Sequence, residues 1–254
     1  MSNRDYLYGG MIIALVALLV LSVLTQGFGL VKAVDGTSNN SSNTNKTTTT
    51  VASNWSGTKP VVQLFTMSYC PYGNIAEEAI EPAVKLLEGT ITFEPHYVIY
   101  NNYGGAQYCI ENGAYCSMHG AQEMTQDIRE LCVWKYDKSK FWDFVFAMNT
   151  QCTYSNADTC WESVASGLGI DTSKVKTCQA DEASSLAAAD DALNQQYGVQ
   201  GSPTLIIDGK EVQVTSRSPE GFKQAICNAF GSSKPTECNT VLSGSAGTAS
   251  GGCG

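Results

Sequence analysis

The sequence holds no Cys-x-x-Cys pair and only two histidines in 254 residues. Zinc sites draw their ligands from such pairs and from histidine, so neither a metal nor another cofactor is expected. Lysine and arginine are few, 15 against 24 aspartates and glutamates, for a net charge of −9. A chain so short of cations lacks the electrostatic footprint of nucleic-acid binding. Residues 37–50 contain almost no apolar side chain, so they cannot form a core. No internal repeat is visible.

Cysteine, by contrast, is abundant: there are ten. They read as a disulfide framework in an oxidising compartment. Leu7 to Val31 runs without a charge and is apolar almost throughout. About 20 such residues cross a bilayer core, so residues 11–31, after a short segment 1–10, read as a transmembrane anchor. The alternative is a signal sequence cleaved after Val31-Lys32-Ala33. Either reading puts the rest of the chain outside the cytoplasm, membrane-anchored or secreted. Residues 32–58 form a Ser/Thr/Asn-rich linker with N-glycosylation sequons at Asn39, Asn40, Asn45 and Asn54. The folded domain is expected over 59–231, and a flexible Ser/Gly-rich tail over 232–254.

Within the domain, the apolar run Val61–Thr66 reads as a strand that leads into Cys70-Pro71-Tyr72-Gly73 and then a helical pattern to about Glu88. Pro71 suits a first helical turn, and Pro82 predicts a kink. Cys70 at a helix N-terminus would have its thiolate stabilised by the dipole and by unpaired amides. Residues 91–100 read as a second strand with an irregularity at Pro95. Residues 106–197 read as helical, with segments near 120–135, 139–150, 159–168 and 183–197. Gly201-Ser202-Pro203-Thr204 then opens a strand, and Pro203 is a candidate cis proline. Asp208-Gly209 is a two-residue hairpin signal. Pro219–Phe230 reads as a last amphipathic helix.

Strand–Cys-Pro–helix early and Ser-Pro-Thr–hairpin–helix late resemble the thioredoxin superfamily. The resemblance implies an α/β thioredoxin-like fold with a disulfide-rich helical insertion over about 106–197. It also implies that the loop of Ser202, Pro203 and Thr204 faces Cys70 and, with Pro71 and Tyr72, binds substrate backbone. Within the insertion, Cys116, His119, Gly120, Glu123, Asp127 and Cys132 resemble the signature of the gamma-interferon-inducible lysosomal thiol reductase family. The departures are an extra residue before His119, Met124 for a cysteine and Asp127 for an asparagine. There is a secondary likeness to periplasmic disulfide oxidoreductases with helical insertions. Both imply thiol–disulfide exchange on cysteine-containing proteins or peptides, with Cys70 as nucleophile and a redox partner that recycles it.

Gly73 stands where the family's second cysteine would be, so Cys70 cannot resolve within its own motif. Four routes stay open: monothiol isomerisation, an external thiol, a distant cysteine, or loss of turnover. The last would leave a non-catalytic binding module, or a structural surface glycoprotein. Spacing offers Cys109–Cys116, Cys152–Cys160 and Cys227–Cys238 as local disulfides and Cys132–Cys178 as a longer one, though spacing alone does not fix connectivity. Cys253, on the tail, is then a candidate resolving thiol. His119 reads as a cap or packing residue, or one that orients a cysteine. His96 reads as a strand-surface residue. Tyr69 and Tyr72 read as groove or core. Trp134, Trp142 and Trp161 read as core or inter-helix contacts.

Overall fold

A computed structural model describes residues 56–245 and residue 247. The anchor or signal segment, nearly all of the linker, the four sequons and Cys253 lie outside the described residues. Among the described residues, no helix is long and apolar enough to cross a membrane.

A four-stranded sheet in the order β2-β1-β5-β6 carries the molecule. Strand β1 (Val61–Thr66) is central, parallel to β2 (Thr92–Tyr97) and antiparallel to β5 (Thr204–Ile207). Covered on both faces, it is buried from Val62 to Thr66 and mostly apolar, with Gln63 the one polar residue inside the run. Val62 and Leu64 point into a core shared with α1 (Pro71–Leu86) and α6 (Pro219–Ala229). Phe65 points the other way, into a smaller cluster with Met67, Cys70, Val98, Val199 and Ile206. That is the period of two expected of a strand. Helix α1 is continuous through Pro82.

Asp208 and Gly209 turn β5 into β6 (Lys210–Glu211) with φ of 50° and 75°. Two consecutive positive φ values are what a type I′ hairpin turn requires, and Asp-Gly supplies them readily. The Asp208 carboxylate also accepts from the Val61 amide at 2.9 Å, tying the hairpin to the start of β1.

Pro95 does not interrupt β2. The strand has one neighbour, so the proline's missing N–H is not needed by a second ladder. The open side of β2 is covered instead by α5 (Thr172–Tyr197). Asp190 accepts from the Tyr97 amide at 2.8 Å, and the Asn194 side-chain amide donates to the Tyr97 carbonyl at 2.8 Å. His96 is therefore not a surface residue. Its side chain is 13% exposed, with Nδ1 2.7 Å from Asp190. Burial acts to lower its pKa, but the hydrogen bonds and charges of Asp190 and Glu94 together outweigh it and the net shift is upward.

Helices α2 (Ala121–Tyr136), α3 (Phe141–Gln151), α4 (Ala157–Gly167) and α5 surround a second core that contains Phe144, Met148, Trp161 and Val175. Trp134 and Trp142 are half-buried at the junction of this core with the sheet's core. Two readings of the insertion need correction. Residues 106–120 are not a helix. They form two single 3-10 turns and the short hairpin of β3 (Cys109–Ile110) and β4 (Tyr115–Cys116), because Glu111, Asn112 and Gly113 all take positive φ. And α5 begins at Thr172, not near 183. Its first turns bury only Val175 and Cys178, too few to give a periodic signal, while Asp171 caps it by accepting from the Ser173 and Lys174 amides.

Candidate functional site

The site is the turn Met67–Cys70 between β1 and α1. Every backbone amide in it has a partner. The Met67 N–H donates to Ser202 Oγ at 3.0 Å, Ser68 N–H to Asp127 Oδ1 at 3.1 Å, Tyr69 N–H to Glu123 Oε1 at 2.8 Å, and Cys70 N–H to the Met67 carbonyl at 3.0 Å. The Ser68 hydroxyl also donates to Asp127 Oδ1 at 2.5 Å. Two of these acceptors come from α2, in the insertion. One comes from the loop before β5. A buried amide without a partner is rare and costly, so the insertion and the loop together fix the path of the chain into Cys70.

Cys70 is the N-cap of α1, with Pro71 at the next position. Its sulfur therefore stands at the positive end of the helix dipole. The residue is fully buried and disulfide-bonded. Its sulfur lies 3.5 Å from the Ser202 carbonyl oxygen, and the Ser202–Pro203 peptide is cis. Thr204 closes the same loop, its hydroxyl donating to the Gly201 carbonyl at 2.8 Å. Tyr72 is 37% exposed, with the Arg217 guanidinium 5.3 Å from its ring centroid. The fold thus brings Cys70, Ser202 and Pro203 together.

The second-cysteine position is closed by packing. A Cβ built on Gly73 would lie 2.5 Å from Ser202 Oγ and 3.3 Å from the Met67 carbonyl oxygen. The Ser202 hydroxyl occupies that space while it accepts from Met67. Gly73 and Ser202 are therefore complementary, and no larger side chain enters at 73 without displacing the loop's hydroxyl.

Beneath the turn lie four buried carboxyl groups, Glu77, Glu123, Asp127 and Glu130. Glu123 accepts from the Ser117 hydroxyl and sits 2.8 Å from His119 Nδ1. His119 thus holds the carboxylate that holds Tyr69. Its pKa is raised, chiefly by that bond to Glu123. Glu77 accepts from the Thr66 hydroxyl at 2.8 Å and from the Asn149 amide at 3.0 Å, and burial raises it to about 7. Glu130 accepts from the Tyr97 hydroxyl and from Gln126, and burial raises it to about 8. Burial also holds Asp127 well above the carboxylate range, with the Glu123 charge adding to it. Among the described residues, no such cluster is arranged to hold a metal ion. These acids were missed as site residues. The signal was there: Glu123, Asp127 and Glu130 fall at i, i+4 and i+7 on a helix, one face of it.

Beside Cys70, a groove of about 450 Å³ begins at Tyr69 and is walled by Tyr108, Met118, His119, Gln122 and Tyr154. Tyr69 and Tyr154 meet edge to face at 6.5 Å between centroids. The Tyr69 hydroxyl and His119 Nε2 are buried without a partner among the described residues. Such groups commonly mark the place of a water or a ligand. A slightly larger cavity, about 470 Å³, lies between β5–β6 and α6, away from Cys70.

Four disulfides are described: Cys109–Cys116, Cys132–Cys178, Cys152–Cys160 and Cys227–Cys238. The first three staple the insertion, and the last joins α6 to the chain that follows it.

A solved structure of a reduced disulfide bond oxidoreductase, DsbG from Mycobacterium tuberculosis, aligns with a TM-score of 0.50 at 18% identity, over 76% of this chain and 89% of that one. The likeness fits a thioredoxin-like fold with a helical insertion. Among curated proteins, vacuolar-sorting receptor 1 of Pisum sativum is 25% identical over 209 residues, 67% of this chain and 33% of the relative. Vacuolar-sorting receptor 4 of Arabidopsis thaliana is 26% identical over 195 residues, 61% of this chain and 30% of the relative. The chain thus spans about a third of the length of these relatives. The family model that matches is the vacuolar sorting receptor thioredoxin-like domain, over residues 74–227, starting just after Gly73. It is not that of the lysosomal thiol reductases; Glu123, which matches their signature, and Asp127, which departs from it, hold the turn here. The chain belongs to the vacuolar sorting receptor thioredoxin-like domain family.

Proposed function

We propose that this chain exchanges disulfides with cysteine-bearing proteins or peptides through Cys70, outside the cytoplasm. One observation carries the reading: a disulfide-bonded cysteine at a helix N-terminus, its sulfur 3.5 Å from the Ser202 carbonyl that precedes Pro203. The step is a displacement at sulfur. An incoming thiolate attacks Cys70 Sγ, the existing S–S bond breaks, and the displaced sulfur leaves as a thiolate that takes up a proton. When Cys70 is itself the leaving group, the α1 dipole stabilises the charge. The Ser202–Thr204 loop and the tyrosine-walled groove position the partner chain. Four disulfides support an oxidising compartment, and the apolar segment at 11–31 supports a membrane tether or an export signal, with the linker sequons carrying glycans.

Cys70→Ser is expected to abolish trapping of mixed disulfides from an extract under alkylating quench. Continued trapping would transfer the role to another cysteine and defeat the proposal.

A second reading, binding without turnover, is favoured by the closed packing at Gly73 and by the sorting-receptor names of the relatives. In that case Cys70→Ser would leave peptide affinity intact and wild-type protein would show no exchange.

A further inference from the structure

We propose that Cys253, carried by the C-terminal tail, is the partner sulfur of Cys70 and serves as the resolving thiol that the Cys-Pro-Tyr-Gly motif lacks. This rests on the exchange reading above.

The first argument is a count. The sequence has ten cysteines. Eight are paired in four bridges. Cys70 is also disulfide-bonded, and it is not in any of those four. One cysteine of the chain is left, at 253.

The second argument is the path of the tail. After the Cys227–Cys238 bridge, the chain stays on the face built by α6. The Thr240 carbonyl accepts from Lys223 Nζ, and the Leu242 amide donates to Glu220 Oε2 at 2.8 Å. At Gly244 a built Cβ would lie 3.1 Å from Pro219, at the start of α6. At Gly247 it would lie 3.0 Å from Ile75. So the tail leaves α6 and arrives on the first turns of α1, the helix that Cys70 caps. Ile75 is five residues past Cys70, a rise of about 7.5 Å along a helix. From Gly247 to Cys253 is 253 − 247 = 6 residues, an extended reach of about 20 Å. The direction and the length both suit Cys70.

The third argument is the closed position at 73. With Ser202 Oγ in that space, a second sulfur has to approach from outside the helix.

The chemistry balances without a further component. In the dithiol form, the Cys70 thiolate attacks a substrate disulfide. The substrate S–S bond breaks, one substrate sulfur leaves as a thiolate, and a Cys70–substrate bond forms. The Cys253 thiolate then attacks Cys70 Sγ and expels the second substrate thiolate. Two electrons pass from the two protein thiols to the substrate, and the two protons that these thiols lose are taken up by the substrate thiols. In the reverse direction, the Cys70–Cys253 form oxidises a substrate dithiol.

The test uses the purified full chain. Non-reducing peptide mass spectrometry after a low-pH alkylation quench should recover the Cys70 and Cys253 peptides linked within one chain. With a fluorescent peptide disulfide as substrate and glutathione as reductant, Cys253→Ser should still capture the peptide but release it slowly. The mixed disulfide should accumulate and turnover fall about tenfold or more. Recovery of Cys253 as a free thiol, or linked to a second chain, would overturn the proposal. So would unchanged turnover in Cys253→Ser. A mapped Cys70–Cys253 bridge in a protein that exchanges with nothing would instead defeat the exchange reading while leaving the pairing in place.

Discussion

The sheet half and the helical insertion solve different problems. The sheet half, β1, α1, β5, β6 and α6, is held by apolar packing and, among the four described disulfides, one local bridge, Cys227–Cys238. The insertion carries three bridges, and it aims its buried carboxylates out of its own core at the turn before Cys70. It is therefore the floor of the site rather than an addition to the rim. The sheet places Cys70 at a helix start; the insertion makes the approach to it rigid.

The strongest way to break that division of labour is Asp127→Ala. It leaves the Ser68 amide and hydroxyl buried without an acceptor, and is expected to cost about 3 kcal/mol in urea unfolding. Asp127→Asn, which keeps the shape and an acceptor oxygen, should cost clearly less. Equal losses in both variants would mean the contact is incidental.

Gly73→Ala tests the sheet half alone. The new methyl displaces the Ser202 hydroxyl from Met67, a net loss of about 1 kcal/mol once the helix preference for alanine is counted. Adding Ser202→Gly should remove the clash, so the two changes together should be less than additive. Strict additivity in the double-mutant cycle would show that the two residues do not share that space.

The dependence on pH runs with one sign in both halves. Glu77 and Glu130 are raised in the folded state from an ordinary 4.5 to about 7 and about 8. Above pH 4.5 the unfolded chain has lost protons that the folded one keeps, so stability falls as pH rises from about 4.5 to about 8. His96 acts in the same direction, because its raised pKa gives stability that is lost as pH climbs past its folded value. The lowered acids Asp171, Glu182 and Glu220 lie at or near the surface, and their contribution is lost only as pH falls through and below the carboxylate range. Urea midpoints at pH 5.5 and 8 should show the protein more stable at the lower value, and Glu77→Gln should flatten the difference. A flat wild-type profile would mean the carboxyls do not titrate in this window.

Legibility in the sequence divides along the same line. The sheet half is punctuated by residues with few conformational options: Pro71 at a helix start, Pro203 before a strand, Asp208-Gly209 at a hairpin. Local rules suffice there. The insertion's function depends on which side chains face which distant backbone amides. Glu123 and Asp127 look like solvated helix positions until the turn at 67–70 is laid against them. His96 looks like the outer face of a strand until α5 covers that edge. The start of α5 escapes notice because its early turns bury so little.

The covering of β2 has one more consequence. On the side away from β1, backbone groups of β2 and its C-terminal extension are engaged by Asp190 and Asn194. The opposite margin of the sheet, β6, is two residues long and consists of Lys210 and Glu211. Short, charged or shielded margins discourage strand addition. The sheet therefore resists self-association into extended ribbons. The peptide partner proposed above is left to approach from the end of the strands where Cys70 and Pro203 meet, rather than along the sheet's sides.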